Sequence, residues 1–337
     1  MKLRQPLSVA IGTAELDRAL EFEIARLTEH AAIAAARFRG QGSEEVADRA
    51  AVIAMRTDLQ RIPADGVIVI GEGHQGQADM LYVGERLGQK RGAQRIDIAL
   101  APIEGKTLCA KNLPNSLSCV AIAPEGGLLA VPDLYMNKIA IGPGYPADVI
   151  GLDRAPSDNL TALAEAKGVT IADLTVAILD RPRHAGLIAA VRATGAGIKL
   201  LSDGDVAAIL DVTQPEKTGI DVYLGIGRAP QAVLAAAALS ALGGQMQARF
   251  VLDGPHQAAA LVRAGIVDFQ RTYAIGDFVR GDVLFAATGV TDGALLAGVR
   301  FSGTDISTET LVTRSSTRLC RLINSRHGVD EASATDA

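Results

Sequence analysis

Apolar positions near the start of the chain recur at helical spacing. Leu16, Leu20, Ile24, Leu27 and Ala31 share one face of a segment from Ala14 to Phe38, which predicts an amphipathic helix. A Gly-Gln-Gly turn at 40–42 leads into a second helical pattern from about Glu44 to Leu59, with Val46, Ile53 and Met55 apolar. Beyond it the period changes. β-branched runs at Val67–Ile70, Ile96–Leu100, Cys119–Ala123, Leu128–Val131 and Lys138–Ile141 end in glycine or charge and predict strands.

The second half alternates helix and strand. A helix capped by Ser157 or Asp158 is expected to stop at Gly168, followed by a strand at Leu174–Leu179. Ala185–Thr194 reads as a helix, Ile198–Leu201 as a strand, and a short helix follows Asp205. Asp221–Leu224 reads as a strand feeding a glycine-rich turn, after which Pro230 opens an Ala-rich helix to Leu242. Strands at Ala248–Leu252 and Val283–Ala287 complete the pattern, which is that of an α/β protein. Gly, Pro and Asp cluster at Gly142–Ala155 and suggest a division into residues 1–150 and 151–326, with a disordered tail from 327 to 337.

Composition narrows the class. Hydrophobic residues make up 48% and charged residues 21%, enough for a substantial core and too apolar for general disorder. With no Trp and 4% aromatics, that core must be built from Ala, Val, Ile and Leu. The net charge of −5 and the scattered basic residues argue against a nucleic-acid partner. The longest apolar run, Ala232–Leu242, is too short for a membrane span, and the N-terminal stretch does not read as a signal peptide. Cys109, Cys119 and Cys320 lack C-x-x-C spacing and read as reduced thiols of a cytoplasmic protein.

The chemistry gathers where strands end in a carboxylate flanked by glycine: Gly71-Glu72-Gly73, Glu104-Gly105 and Asp203-Gly204-Asp205. In open α/β sheets ligands collect beyond the carboxyl ends of strands, and carboxylates there are common ligands for Mg²⁺ or Mn²⁺. Any one of these alone reads as readily as a turn residue or helix cap. GIGRAP from Gly225 is a weak dinucleotide signal because it lacks the third glycine. His74 reads as an exposed turn residue and His184 as a group that caps or orients the helix after it.

Seven motifs in order give the set its meaning: GEGHQGQADMLYVGE from Gly71, PIEGKTLCAKNLPNSL from Pro102, PDLYMNKIAIGPG from Pro132, RPRH from Arg181, SDGDVAA from Ser202, GIGRAP from Gly225 and FAATGVTDG from Phe285. Over roughly residues 15–325 the chain resembles the class II (GlpX-type) fructose-1,6-bisphosphatases. The resemblance implies a sugar-phosphatase fold, the layered α-β-α-β-α sandwich shared with inositol monophosphatases. It also implies metal-dependent removal of the 1-phosphate from fructose 1,6-bisphosphate, and possible action on sedoheptulose 1,7-bisphosphate, in gluconeogenesis or the Calvin cycle. The implied metal ligands, for Mn²⁺ or Mg²⁺, are Asp48, Glu72 and Glu104. Implied substrate contacts are Glu104, Gly105, Tyr135, Arg181, Arg183, Asp203, Gly204, Asp205 and position 228, with Glu104 and position 106 at the reacting phosphate. A homo-oligomer is implied as well.

The chain departs from that pattern at the chemistry itself. Ala101 stands where the family has an Asp ligand and Gln231 where it has a Glu ligand. Lys106 replaces the Thr that assists water, and Arg228 replaces a substrate-contacting Gly. His74, Gly76, Glu44 and Arg49 are further departures. Asp97, four extended residues or roughly 13 Å from Ala101, is poorly placed to supply the missing acid, while Asp79 is left open as a substitute. Two carboxylates lost and two cations gained predict a weaker metal site that still attracts phosphate through Lys106 and Arg228. Besides the bisphosphatase, two readings follow: a catalytically impaired paralogue that binds sugar phosphate or regulates an active partner, and an enzyme acting on another phosphorylated metabolite.

Overall fold

The computed structural model describes residues 15–89, 92–303 and 305–328. Helix α2 (Glu44–Leu59) forms where the helical periodicity predicts it, behind an N-cap in which the Ser43 hydroxyl accepts from the Val46 N–H, whereas α1 (Leu20–Ala36) starts later than predicted, after a turn in which Asp17 Oδ1 accepts from the Ala19 N–H. Position 14, where the first pattern begins, lies outside the described residues, as do the other N-terminal residues weighed for a leader.

The first sheet runs β12 (Arg300–Ser302), β13 (Asp305–Arg314), β11 (Leu284–Gly289), β4 (Leu117–Pro124), β3 (Arg95–Glu104), β1 (Asp65–Ile70), β2 (Arg86–Gly88), with β14 (Leu319–Gly328) also paired to β13. The second runs β10 (Tyr273–Ala274), β9 (Gln245–Val251), β5 (Tyr135–Ile141), β8 (Val222–Arg228), β6 (Thr175–Leu179), β7 (Gly197–Leu201). Among the described strands, only β1–β3, β6–β7 and β6–β8 pair in parallel. The remaining helices are α3 (Lys106–Ala110), α4 (Pro156–Lys167), α5 (Ala185–Ala193), α6 (Asp205–Asp211), α7 (Pro215–Thr218), α8 (Ala229–Leu242), α9 (Pro255–Arg263) and α10 (Ile275–Phe278).

Three apolar clusters define the layers. α1 and α2 pack on the outer face of the first sheet through residues such as Leu27, Met55, Ile98 and Val120. α4 and α5 cover the outer face of the second through Leu160, Leu163, Val191 and Ile178. α6 and α8 fill the space between the sheets, and α8 is apolar all round because both its flanks are buried. Ala235, Ala236, Ala237 and Ala238 have no exposed surface, so small side chains let the two sheets approach one helix closely. This is the layered α-β-α-β-α sandwich implied by the sequence.

Beyond the later start of α1, the structure differs from the sequence expectations at four points. Leu128–Val131 is not a strand; Leu128 makes only an isolated bridge to Val279, and its N–H donates to the Asp97 carboxylate instead of a ladder. α4 begins at Pro156 behind Ala155, one to two residues before the expected caps, because proline's fixed φ and missing N–H suit the first helical turn. The division at residue 150 does not separate the sheets: β11–β14 return from the far end of the chain to join β1–β4. The expected tail starts too early as well, since His327 and Gly328 belong to β14; residues 329–337 lie outside the described part.

Candidate active site

A cavity of about 530 Å³ opens at the carboxyl ends of β1 and β3, between the two sheets. The register of β3 against β4 shifts between Ala101 and Glu104, an irregularity at the point where the backbone turns toward the cavity. Gly105 follows in the left-handed region at φ 77°, a conformation that costs glycine little, and α3 starts at Lys106.

Lys106 defines one wall. Its ammonium lies 2.8 Å from Asp48 Oδ2 and 2.9 Å from Glu72 Oε2, joining α2, the β1 turn and α3. Burial opposes its charge, but Glu72 and Asp48 together outweigh that and hold the lysine above its ordinary pKa. Glu72 is itself raised by burial, with Lys106 working against the rise. Glu44, at the rim, accepts from the Thr107 hydroxyl at 2.7 Å and ties α2 to α3.

Glu104 is 4% exposed and aims at the cavity. Its Oε1 accepts from the Val206 N–H at 3.1 Å, while Oε2 has no partner. Burial first, then Asp205 and Asp203, push its carboxyl well above the usual range. Asp203 is raised too, again by burial.

The opposite wall is cationic. Arg181 and Arg183 follow β6, and Arg228 ends β8 directly across the ladder from Tyr135. The Arg183 and Arg228 guanidiniums lie over the Tyr135 ring at 4.9 and 5.7 Å. Arg228 also pairs with Asp133, which sequence reasoning did not single out. His184 orients this wall without capping α5 through its side chain. Its Nδ1–H donates to the Leu179 carbonyl at 2.6 Å, and its Nε2 accepts from the Ile226 N–H at 2.7 Å, across β6 and β8. Arg183 donates to the carbonyl of the same Ile226.

Lys138 reads in the sequence only as part of a strand, yet it is fully buried. Its ammonium bonds Asp205 Oδ2 at 2.5 Å and the Arg228 carbonyl at 2.9 Å. A Cβ at Gly227 would fall 2.0 Å from Asp205 Oδ2, which explains a glycine inside GIGRAP without any nucleotide. No periodicity signals such a buried pair; a lysine at the head of the apolar run Ile139–Ile141 is the one available hint.

The residues assigned by resemblance therefore come together: Glu72, Glu104, Gly105, Lys106, Tyr135, Arg181, Arg183, Asp203, Asp205 and Arg228 line one cavity, with Asp48 joined through Lys106 and Gly204 bracketed by the two aspartates. His74, Gly76, Arg49 and Asp79 do not line it. Asp97 is spent on the backbone of the 126–128 turn. The three cysteines carry free thiols.

The donor set does not fit the metal arrangement implied by the sequence. Asp48 and Glu72 both face an ammonium, Ala101 supplies no donor, and Gln231 presents a neutral amide whose buried Oε1 has no partner. Among the described residues, no group of three or more His, Cys, Asp or Glu side chains is disposed to hold a metal ion.

Comparison with known proteins bears on ancestry. The family model for bacterial fructose-1,6-bisphosphatase, glpX-encoded, matches residues 18–327. The chain belongs to that family. A D-fructose 1,6-bisphosphatase class 2/sedoheptulose 1,7-bisphosphatase of Synechococcus sp. (strain JA-3-3Ab) is 42% identical over 339 residues, covering 94% of this chain and 97% of the relative. A protein of the same description from Synechococcus elongatus is 38% identical over 340 residues, covering 94% and 98%. Within this GlpX-type fold, Arg181, Arg183, Arg228, Glu104, Asp203 and Asp205 line one cavity, and Lys106 pairs with Asp48 and Glu72 at its wall. Among the described residues, no helix is long and apolar enough to cross a membrane.

Proposed function

We propose that this chain hydrolyses the 1-phosphate of fructose 1,6-bisphosphate, and the corresponding ester of sedoheptulose 1,7-bisphosphate, the substrates named for its relatives. The observation that carries this reading is the convergence of Lys106, Arg181, Arg183 and Arg228 on a cavity that also holds Glu104 and Asp203. Four cations suit two phosphates, and the arginines bind phosphate oxygens in pairs. Arg181, Arg183 and Arg228 hold the phosphate that stays, Asp203 meets sugar hydroxyls, and Lys106 neutralises the phosphoryl group that leaves. Water attacks that phosphorus as the bond from phosphorus to the sugar oxygen breaks. Glu104, buried in the cavity wall beside Asp203 and Asp205, is the group placed to give a proton to the departing sugar oxygen, and the proton of the attacking water leaves with the released phosphate or to solvent.

The resemblance adds Mn²⁺ or Mg²⁺. The acids missing at 101 and 231 support fewer or weaker ion sites, and no step above passes through a metal. The free thiols support a reducing, cytoplasmic setting. Exposed Phe22 on α1 and Leu322 on β14 are apolar surface that self-association would cover. Loss of a carboxylate at both 101 and 231 favours a second reading, a sugar-phosphate binder without turnover.

The test is phosphate release from fructose 1,6-bisphosphate by the purified chain. Turnover well above the uncatalysed rate, abolished in Glu104→Gln, is the expected result. Absence of turnover together with a sugar-bisphosphate-dependent rise in melting temperature would replace it with the binder reading.

A further inference from the structure

We infer that the Lys106 ammonium is a built-in substitute for a divalent cation between Asp48 and Glu72. Its nitrogen is 2.8 and 2.9 Å from one oxygen of each carboxylate, so it occupies the volume those oxygens share. A divalent ion bound to the same two oxygens would sit at about 2.0–2.6 Å from them, in contact with the ammonium and repelled by it. Position 106 opens α3 directly after Gly105, and the Thr107–Glu44 hydrogen bond fixes this turn against α2. The lysine is thereby held in place before any ligand arrives. The ammonium is also part of the cavity wall, where it offsets one of the two carboxylate charges that an incoming phosphate would otherwise face without metal loading. This deepens the proposed function and takes the sugar bisphosphate as ligand from it; the cation argument itself needs only the geometry at Lys106.

The experiment is a Mn²⁺ titration followed by electron paramagnetic resonance, on the wild-type chain and on Lys106→Thr and Lys106→Arg. Wild type and Lys106→Arg should bind Mn²⁺ weakly, and Lys106→Thr at least roughly tenfold more tightly, because two carboxylates are released from a competing charge. Equal, tight Mn²⁺ binding by wild type and Lys106→Thr would overturn the inference. A measurement independent of any variant is the thermal shift of wild type with fructose 1,6-bisphosphate, in EDTA and in Mn²⁺. The same shift in both is expected; a shift that requires Mn²⁺ would overturn metal-free phosphate binding. A shift in neither overturns the substrate reading, while the titration still decides the role of Lys106.

Discussion

Lys138, Asp205 and Asp211 are buried ionisable groups that the fold treats differently. Lys138 and Asp205 compensate one another at 2.5 Å, and the lysine also bonds the Arg228 carbonyl. Replacing Lys138 by Met leaves Asp205 buried and unpaired, a change that costs about 3–5 kcal/mol. Denaturant unfolding should show a drop of that size; a drop under about 1 kcal/mol would mean that Asp205 finds another partner. Asp211 takes a 3.5 Å contact from the Asn115 amide, and burial raises its pKa from 3.8 to about 6. The folded state therefore keeps a proton that the unfolded chain releases. The resulting destabilisation is absent below about pH 3.8, grows as pH rises through 6, and is complete above it. A pKa difference of one between folded and unfolded states is worth about 1.36 kcal/mol, so Asp211→Asn should be more stable than wild type by about 2–3 kcal/mol at pH 7.5. The gain should vanish near pH 4, as thermal unfolding at the two pH values can establish.

At the level of elements, α8 controls the spacing of the layers. Its alanines pack in one cluster with side chains of both sheets, and Ala236 has no exposed surface, so a longer side chain there must displace packed neighbours. Ala236→Leu should destabilise by roughly 1–3 kcal/mol or more, measured as a fall in melting temperature, and a neutral result would show slack between the sheets. The elements most legible in the sequence were those with one strong signal: α2 from its period and Ser43, α4 from its stop at Gly168, and β4 from its unbroken apolar run. The β13–β14 hairpin escaped notice because Thr308, Thr310 and Thr313 fill inward positions, so the apolar alternation is faint. Thr310 and Thr288 satisfy each other's hydroxyls there at 2.8 Å, together with Thr28. Threonine is a good strand former, but polar positions at a buried face defeat a reading based on hydrophobicity alone.

Over the whole molecule, the cluster around α8 takes side chains from both sheets: Ala121 and Phe285 from the first, Met136 and Tyr223 from the second. The chain also crosses between the sheets twice, since β11–β14 complete the sheet begun by β1–β4. Shared core and shared connections predict one cooperative unfolding transition rather than two. Calorimetry should give equal calorimetric and van't Hoff enthalpies; two resolved transitions would show that residues 142–155 behave as a domain linker after all.

The order and type of most elements, the candidate carboxylates and the arginines follow from the sequence, because periodicity, turn residues and motif order are local properties of the chain. So does the prospect that Lys106 and Arg228 attract phosphate, since charge is written in the residue itself. Which groups pair is decided by the fold alone. Lys106 meets Asp48 and Glu72 across 58 and 34 residues of chain, and Lys138 meets Asp205 across 67, only because two sheets close on one helix. A carboxylate that reads as a metal ligand along the chain thus becomes the partner of an ammonium in space, since ion pairing depends on distances of a few ångströms that sequence separation does not encode.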